Sequence, residues 1–325
     1  MTHTPPAIAR RPDRPLVSVV LSFRNEAGNI PALVARLDKA FAGQNADYEA
    51  VFVNDASTDA SLPLLMAERE RNGRIRIVNM SRRFGVAEGV IAGMSLARGD
   101  AVVYMDADLQ DPPEVIPALI DRWRQGADIV HTVRTRRHGE NPLKMAATRL
   151  AYRLIHLGSS IRLPVDAGDF KLLSRQAVDH LLRFRESDPY LRGLVVWLGF
   201  NQVAIPYERE SRHAGRTHFP FFSRNPWKTF TMGMTSFSFM PIYACFAVAA
   251  AGLAAAVGLA LAGATLFAAL TFFWATIIAA IAVVGTYLIR VYKDVRGRPP
   301  YIIESVIGEE APQTGGDERA YAPRG

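Results

Sequence analysis

The sequence predicts an α/β domain with a mostly parallel central sheet, followed by a C-terminal pair of membrane-spanning helices. Apolar runs alternate with helical patterns between residues 16 and 133, and polar residues stand directly after those runs. No charged residue occurs from Thr229 to Ile289. Alternating strands and helices are typical of a parallel sheet covered on both faces. The uncharged stretch is long enough for two spans of roughly 20 residues each.

The individual elements follow from the period of the apolar residues. Strands are predicted at residues 16–23, 48–53, 75–80, 101–105 and 128–133. Helices are predicted between them at residues 30–41, 57–72, 87–97 and 113–125. After residue 134 the pattern is mixed, with helices predicted at 143–157 and 174–184 and a strand at 202–208. Ligands of parallel sheets bind outside the carboxyl ends of the strands, so the polar residues at those ends are candidate site residues.

The uncharged stretch predicts a helical hairpin, with spans at 242–262 and 267–289 and a turn at Gly263. Basic residues flank the hairpin on both sides, at Arg224, Lys228, Arg290 and Lys293. The positive-inside rule therefore places the α/β domain and both termini in the cytoplasm. No apolar segment of a cleavable signal peptide follows Met1. The expected location is the inner (cytoplasmic) membrane, as a multi-pass protein.

These patterns divide the chain into five segments. Residues 1–15 are rich in proline and arginine and are expected to be disordered, and the α/β domain is expected at 16–218. Residues 219–234 interleave aromatic with basic side chains, which is typical of a helix in the membrane interface but also fits an amphipathic core helix. The two spans occupy residues 235–290, and residues 291–325 form a cytoplasmic tail.

The charge balance favours phosphorylated and lipid partners. The 325 residues carry a formal net charge of +7, with lysine and arginine dispersed along the chain. The sequence contains no nucleic-acid-binding motif, so nucleic acid is not an expected partner. Anionic lipid headgroups and phosphorylated ligands account for the basic excess more simply. The single cysteine, Cys245, excludes an intrachain disulfide and a cysteine metal site.

Two carboxylates one residue apart follow the fourth predicted strand. Asp106 and Asp108 provide the oxygen ligands that Mg²⁺ and Mn²⁺ prefer, and Gln110 offers a third oxygen. A solvated acidic turn has the same pattern, but the position at a strand end favours a metal site. Such a cation would bridge the diphosphate of a nucleotide-sugar. Together with a membrane anchor, the site suggests chemistry that joins a soluble phosphorylated donor to a lipid acceptor.

Six motifs occur in order along the chain. They lie at residues 19–26 (Val-Val-Leu-Ser-Phe-Arg-Asn-Glu), 53–59 (Val-Asn-Asp-Ala-Ser-Thr-Asp), 81–85, 106–114, 168–171 (Gly-Asp-Phe-Lys) and 212–218. In these motifs the chain resembles the inverting GT-A-fold glycosyltransferases that use polyprenyl phosphate, namely bactoprenol glucosyltransferases and dolichyl-phosphate mannose synthases. The resemblance covers roughly residues 15–303 and implies a GT-A, nucleotide-diphospho-sugar transferase domain.

The resemblance also implies residues that bind the donor and the acceptor phosphate. Glu26 and Asp55 would line the nucleoside pocket, although Asp55 could instead cap the following helix. Guanidinium groups bind phosphate oxygens bidentately. The basic candidates are Arg82, Arg134, Arg137, Lys171, Arg209 and Arg212.

The catalytic and metal residues are assigned by the same resemblance. Asp106, Asp108 and Gln110 would hold Mg²⁺ or Mn²⁺, and Asp108 would thereby take part in catalysis. Asp169 would lie near the reaction centre, either as a general base or as a group that positions the acceptor. A phosphate acceptor is already an anionic nucleophile, so a base is not required. Asp166 is the alternate candidate, and a structural salt bridge would explain either aspartate.

The chain departs from the family pattern at several positions. The family usually has Asp at Asn54, Gly at Ala56 and Arg at Lys171. It also carries a different sequence where this chain has Arg216-Thr-His218. The imidazole of His218 is only partly protonated near pH 7, so it does not replace a permanent charge. These departures leave the identity of the donor open.

The expected activity is metal-dependent transfer of a hexose from a nucleotide-sugar to polyprenyl (undecaprenyl) phosphate, with inversion. UDP-glucose is the favoured donor, while GDP-mannose, UDP-N-acetylglucosamine and amino-arabinose donors remain open. A processive polysaccharide synthase is one alternative, although the Gln-x-x-Arg-Trp motif of those enzymes is missing. A non-catalytic, membrane-anchored scaffold that binds nucleotide-sugars is another. A homo-oligomer is left open.

Overall fold

The computed structural model describes residues 11–135, 167–210, 240–263 and 266–308. Its eight strands are β1 (Leu16–Phe23), β2 (Asp47–Asn54), β3 (Ile75–Met80), β4 (Ala101–Asp106), β5 (Ile129–Arg134), β6 (Ala167–Ser174), β7 (Gln202–Tyr207) and β8 (Ile303–Ile307). The helices are α1 (Ile30–Phe41), α2 (Ser61–Arg71), α3 (Val86–Leu96), α4 (Ile116–Arg124), α5 (Arg175–Leu181), α6 (Leu191–Trp197), α7 (Met240–Leu261) and α8 (Leu266–Val295), with a 3₁₀ turn at Pro113–Val115.

All eight strands form one sheet in the order β7-β5-β6-β4-β1-β2-β3-β8. The pairs β1–β2, β1–β4, β2–β3 and β5–β7 are parallel, so the predicted α/β fold with a mostly parallel sheet is confirmed. β6 lies between β4 and β5 and is antiparallel to both. Because β6 is reversed, it begins at the edge where β4 and β5 end. We call this edge, where β1, β2, β4, β5 and β7 end and β6 begins, the carboxyl edge.

The sheet is covered on both faces, and nearly all side chains of its central strands β1, β2 and β4 are buried. Successive residues of a strand point to opposite faces. Leu21 of β1 accordingly packs with Leu33 of α1, whereas Val20 packs with Met94 of α3. Each fully buried side chain of this kind stabilises the fold by about 1.5–3 kcal/mol. A Cβ placed on Gly93 would lie 2.4 Å from Val20 Cγ1, so this glycine allows α3 to approach the sheet closely.

Several elements differ from the sequence predictions. α2 begins at Ser61 rather than at residue 57, because the preceding residues form a turn in which Asn54 Oδ1 accepts a hydrogen bond from Ser57 N at 2.9 Å. β6, α6 and β8 are not predicted by the sequence patterns. The predicted helix at 143–157 and the interfacial segment at 219–234 lie outside the described residues.

The N-terminal segment is described from residue 11 onward, within the tail that was expected to be disordered. The Arg11 guanidinium lies 4.7 Å from the centre of the Trp123 ring and 3.3 Å from Asp128 Oδ1. The carbonyl of Pro15 accepts a hydrogen bond from Asp47 N at 2.9 Å. Residues 11–15 therefore contact the α/β domain, while residues 1–10 lie outside the described part.

A buried ionic cluster lies at the opposite edge of the sheet, where the parallel strands begin. Glu49 of β2 is 4% exposed, and its Oε1 accepts hydrogen bonds from Ser18 Oγ at 2.6 Å and from Arg98 N at 2.7 Å. Its Oε2 lies 3.4 Å from Arg76, which is also buried and donates to Leu96 O at 2.6 Å. Burial raises the pKa of Glu49, but these hydrogen bonds and the two arginine charges outweigh it and lower the pKa overall.

α7 and α8 form the apolar helical hairpin. The segments Pro241–Leu259 and Phe272–Val295 are long and apolar enough to cross a membrane, with mean hydropathies of 2.1 and 2.2, which suggests membrane association. The two helices approach closely at Gly252, where an added Cβ would lie 2.6 Å from Phe272 Cε1. Small residues at such contacts are typical of packed membrane helices.

The end of α8 contacts the α/β domain through the loop between α5 and α6. Arg290 is ion-paired with Glu186 at 3.1 Å, and Lys293 is ion-paired with Asp188. Ser187 Oγ donates a hydrogen bond to the carbonyl of Lys293 at 2.9 Å. The chain then continues into β8, which pairs with β3. The helical hairpin is thus attached to the domain on its C-terminal side.

Candidate active site

The predicted metal residues lie at the end of β4, on the carboxyl edge. Asp106 is the last residue of β4, and Asp108 is 5% exposed with its Oδ1 accepting from Gln110 N at 3.1 Å. Leu109, which lies between Asp108 and Gln110, has a φ of +60°, which is unfavourable for a bulky side chain. The backbone therefore forms a tight turn directly after Asp108. Such strain is concentrated at functional sites.

Negative charge accumulates around Asp106. Burial raises the pKa of Asp106 to about 7, and the carboxylates of Asp169, Asp111 and Asp108 add to this effect. Arg209 acts in the opposite direction without cancelling it. A buried carboxyl surrounded by three other carboxylates is a place where a bound cation would be strongly favoured.

Asp111 is a site residue that the sequence analysis did not single out. It is fully buried and accepts hydrogen bonds from Tyr207 Oη and from Arg209 Nε, the latter at 3.2 Å. Tyr207 Oη in turn accepts from Arg134 Nε at 3.2 Å. Two predicted basic residues, Arg134 and Arg209, are therefore held at the carboxyl edge by one aspartate. The signal was present in the Asp-Leu-Gln-Asp sequence that ends at this residue.

Asp169 lies near the start of β6 and forms a bidentate ion pair with Arg192 of α6. Arg192 Nε donates to Asp169 Oδ1 at 2.7 Å, and a terminal guanidinium nitrogen donates to Oδ2. Burial would raise the pKa of Asp169, but the charges of Arg192, Lys171 and Arg134 prevail and lower it to about 2. Asp169 is therefore a carboxylate at neutral pH. Arg192 was not among the predicted site residues.

Lys171 lies two residues after Asp169 on the same face of β6 and is 1% exposed. Burial lowers the pKa of Lys171 to about 8, with Asp169 opposing and Arg192 adding to this shift. Its Cα partners on the neighbouring strands are Tyr104 and His131, both buried. The cation is thus enclosed in the sheet, and it contributes charge to Asp169 rather than an exposed phosphate contact. The burial of Lys171 does not favour the expected direct contact with a ligand phosphate.

His131 gives the fold a dependence on pH. It is 2% exposed, its Nε2 lies 2.8 Å from Gln202 Oε1, and burial beside Lys171 lowers its pKa to about 4. In the unfolded chain the imidazole has a pKa near 6.5. The contribution of His131 to stability is therefore fully present above that pH and is lost as the pH falls towards 4. We expect the free energy of unfolding to fall by about 2 kcal/mol between pH 7 and pH 5 through this group.

Thermal and denaturant unfolding of the wild type and of His131→Gln at both pH values measures this contribution. The variant should lose the difference attributed to His131 while keeping the rest of the pH dependence. Equal pH dependence in the two proteins would contradict the assignment.

The predicted nucleoside residues lie at the ends of β1 and β2. Glu26 is buried and accepts from the Asn29 side chain, while its backbone N donates to Ser61 Oγ at 2.9 Å. Asp55 is also buried, and its Oδ1 accepts from Phe84 N at 2.7 Å. The alternative role of Asp55 as a helix cap is wrong, because α2 begins only at Ser61. Asp55 instead joins two of the sequence motifs.

The remaining predicted residues fall into two groups. Arg82 is exposed, and its guanidinium lies 3.9 Å from the centre of the Phe84 ring, next to the motif that Asp55 holds. Arg137, Asp166 and Arg212 lie outside the described residues.

The two departures at the end of β2 have structural counterparts. Ala56 has a φ of +53°, the left-handed conformation that favours the glycine usual in the family. Asn54 is hydrogen-bonded to Asn79 at 3.1 Å, and Asn79 donates to Ser305 Oγ of β8 at 3.0 Å. The asparagine at position 54 thus connects this end of the sheet to β8.

The residues at the end of β4 fit a divalent cation. Asp106 and Asp108 are hard oxygen donors, and burial together with neighbouring carboxylates raises the pKa of Asp106. Asp111 Oδ2 is buried without a hydrogen-bond partner. Within the described ranges, no three acidic, histidine or cysteine side chains form a preassembled metal cluster. This agrees with Mg²⁺ sites that use one or two carboxylates and complete their shell with substrate phosphates and water.

Comparison with known proteins gives consistent relatives. The glycosyl transferase family 2 model matches residues 18–182. The uncharacterized glycosyltransferase YkcC of Bacillus subtilis is 34% identical over 90% of this chain and 94% of its own length. A prophage bactoprenol glucosyl transferase homolog of Escherichia coli is 31% identical over 89% of this chain and 99% of its own length.

A solved structure supports the fold. Glucosyl-3-phosphoglycerate synthase from Mycobacterium tuberculosis, in complex with phosphoglyceric acid, superposes with a TM-score of 0.50 and 18% identity. The match covers 68% of this chain and 79% of that one. Together with the family match, it agrees with the expected GT-A fold. The chain is a glycosyltransferase and belongs to glycosyl transferase family 2.

Proposed function

We propose that this enzyme transfers a hexose from a nucleotide-sugar to polyprenyl phosphate at the cytoplasmic face of the membrane, with inversion at the anomeric carbon. One observation carries the proposal. The Asp169–Arg192 pair lies at the same sheet edge as Asp106, and α6, which carries Arg192, follows the loop that binds the end of the apolar helix α8. A site for a charged donor is thus linked directly to a membrane helix. The relatives named as bactoprenol glucosyl transferases support the same acceptor.

The donor would bind across the ends of the central strands. Glu26 and Asp55 would accept hydrogen bonds from the base or ribose at the ends of β1 and β2. Arg134 and Arg209, which Asp111 and Tyr207 hold in place, would bind the diphosphate oxygens. Arg82, and Arg137 and Arg212 beyond the described residues, are further candidates for the donor or acceptor phosphate. UDP-glucose is the favoured donor.

Asp106 and Asp108, with Gln110, would hold Mg²⁺ or Mn²⁺. When bound, the cation would neutralise the charge that develops on the departing nucleoside diphosphate. The carboxylates supply the negative charge that attracts it, and Leu109, with its positive φ, lies between Asp108 and Gln110. Asp108 is therefore assigned a catalytic role through the metal.

In the transfer step, a phosphate oxygen of the acceptor forms a bond to the anomeric carbon while the bond from that carbon to the diphosphate oxygen breaks. The acceptor oxygen already carries negative charge, so no proton has to be removed. A carboxylate with a pKa of about 2 would also be a weak base. Asp169 therefore acts by orienting Arg192 and the reacting groups. Asp166, outside the described residues, remains the alternate.

The hairpin of α7 and α8 would cross the inner membrane twice, with the catalytic domain and both termini in the cytoplasm. The basic residues beside the spans support this orientation. A polyprenyl chain cannot leave the bilayer, so an anchored enzyme meets its acceptor by diffusion within the membrane. A homo-oligomer is compatible with this arrangement.

A transfer assay tests the proposal. The purified, reconstituted protein is given undecaprenyl phosphate, Mg²⁺ or Mn²⁺, and a panel of radiolabelled UDP- and GDP-sugars. Label that moves into the organic phase as a single monosaccharide adduct supports the proposal and identifies the sugar. A growing polymer would indicate a processive synthase. Nucleotide-sugar binding without transfer or hydrolysis would indicate a scaffold.

Removing one metal ligand gives a sharper expectation. Asp108→Asn keeps the side-chain size and removes the charge, so transfer should fall on the order of 100-fold and respond weakly to added Mn²⁺. The measurement is the initial rate as a function of metal concentration. Asp121→Asn, at an exposed position of α4, is the matched control and should behave as the wild type. A metal response unchanged by Asp108→Asn would contradict the site.

A further inference from the structure

The contacts of α8 fix the level of one loop relative to the membrane. Arg290 is the first charged residue after the apolar stretch, and it binds Glu186 in the loop between α5 and α6. Lys293 binds Asp188 in the same loop. Basic residues at the end of a spanning helix lie at the lipid headgroups. If α8 spans the membrane as the proposed function requires, this loop lies at headgroup level.

An exposed aromatic side chain stands beside this loop. Trp197, the last residue of α6, is 55% exposed. Its ring packs edge-to-face on Phe184, with 5.3 Å between ring centres, and Phe184 precedes Glu186 by two residues. Tryptophan has an apolar body and one polar N–H, and it is enriched at membrane interfaces for that reason. The position of Trp197 thus matches its chemical preference.

The exposed charged side chains next to this aromatic pair are basic. The acidic residues of the loop, Glu186 and Asp188, are already ion-paired with α8. Arg183 and Arg185 flank Phe184 and are both exposed. Exposed arginines close to a bilayer are attracted by anionic headgroups.

We propose that Arg183, Phe184, Arg185 and Trp197 form a lipid-contact surface that binds anionic headgroups beside the end of α8. The surface is continuous with the contact between α8 and the loop, and its charge is complementary to acidic lipid. α6 begins in this loop and carries Arg192, the partner of Asp169. Docking of the surface would place this pair at the level of the headgroups, where the phosphate of a polyprenyl acceptor also lies.

Depth-dependent fluorescence quenching tests the surface in the full-length chain. The chain has four tryptophans, so single-tryptophan variants that retain Trp197, Trp274 or Trp123 are made by Trp→Phe substitution. Each is reconstituted into phosphatidylglycerol-containing bilayers that carry a nitroxide either at the headgroup or deep in the acyl chain. Trp274 of α8 lies sixteen residues before Arg290, roughly 24 Å along the helix, and reports the spanning segment. Trp123 is buried in the α/β core.

The expected pattern separates the three positions. Trp197 should be quenched more by the headgroup nitroxide than by the deep one, Trp274 should be quenched by the deep nitroxide more strongly than Trp197 is, and Trp123 should be quenched by neither. Quenching of Trp274 without quenching of Trp197 would overturn the lipid-contact surface and leave the proposed function in place. Absence of quenching at both would overturn the membrane placement itself. If Trp197 were also shielded from aqueous acrylamide, another protein copy would cover it, and the inference would fail.

Lipid charge provides the matched control. Replacing phosphatidylglycerol with phosphatidylcholine, or introducing Arg183→Gln and Arg185→Gln together, should reduce headgroup quenching of Trp197 and leave Trp274 unchanged. Equal quenching in both lipids would overturn the role of anionic headgroups. If the multiple Trp→Phe variants fold poorly, the difference in emission between the wild type and Trp197→Phe gives the same signal from a single surface substitution.

Discussion

Asp169→Asn is expected to lower the rate of transfer on the order of 100-fold, through loss of positioning, while the protein stays folded and keeps its affinity for the donor. The aspartate is ionised because Arg192, Lys171 and Arg134 surround it. Asparagine has the same shape but cannot neutralise these cations, and one of its two polar atoms is a donor that faces guanidinium donors. Arg192 would then lose its bidentate partner and its fixed position.

Steady-state kinetics in reconstituted membranes measure this effect as separate values of kcat and of KM for each substrate. The loss should appear in kcat, since Glu26 and Asp55, the proposed donor-binding residues, follow β1 and β2 and are not part of β6. Asp179→Asn, at an exposed position of α5, is the control and should retain full activity. Arg192→Lys keeps the charge but not the planar fork, so an intermediate loss is expected. A loss below tenfold for Asp169→Asn would be incompatible with its assigned role.

Glu49→Gln is expected to lower the free energy of unfolding by about 3–5 kcal/mol. The substitution removes the buried negative charge that is ion-paired with the buried guanidinium of Arg76. It also replaces an acceptor of the Ser18 and Arg98 hydrogen bonds with an amide that can satisfy only part of them. Because the cluster lies at the edge opposite the active site, activity per folded molecule should be unchanged.

Denaturant unfolding reports this change, monitored by fluorescence in a background that retains Trp123 as its single tryptophan. The control is Asp47→Asn, which breaks the exposed pair with Arg14 and should shift stability by no more than about 1 kcal/mol. Acidification should act in the same direction as Glu49→Gln. The folded-state pKa of Glu49 is lowered, so its contribution is present at neutral pH and is lost as the pH falls through that pKa. A stability change as small as that of the control would contradict the assigned contribution of Glu49 to the free energy of unfolding.

Local sequence pattern was sufficient for the first half of the domain. β1 to β5 and α1, α3 and α4 lie within a few residues of their predicted positions, because buried strands and amphipathic helices leave a direct periodic signal. Asp106, Asp108, Arg134 and Asp55 could be assigned to one edge of the sheet in the same way, because the carboxyl ends of parallel strands meet there.

The remaining features depend on long-range contacts. β6 inserts between β4 and β5, and nothing local to its sequence gives its neighbours or its direction. Arg192 belongs to the site only because α6 packs beside the start of β6. Glu49 is a charged residue inside an apolar strand, and its arginine partners lie 27 and 49 residues away. Sequence period carries no information about such pairings.

β8 shows that the α/β domain extends beyond the two apolar helices in the chain. The strand follows both apolar helices, yet it pairs with β3, and hydrogen bonds from Asn54 to Asn79 and from Asn79 to Ser305 connect it to the end of β2. The central sheet is therefore completed by residues that follow the helical hairpin in the chain. The hairpin is an insertion within the α/β domain rather than an appendage to it. A chain that stopped before α7 would leave β3 as an open edge strand, which invites pairing with other chains. Any exchange of the helical hairpin would consequently have to preserve this last strand as part of the sheet.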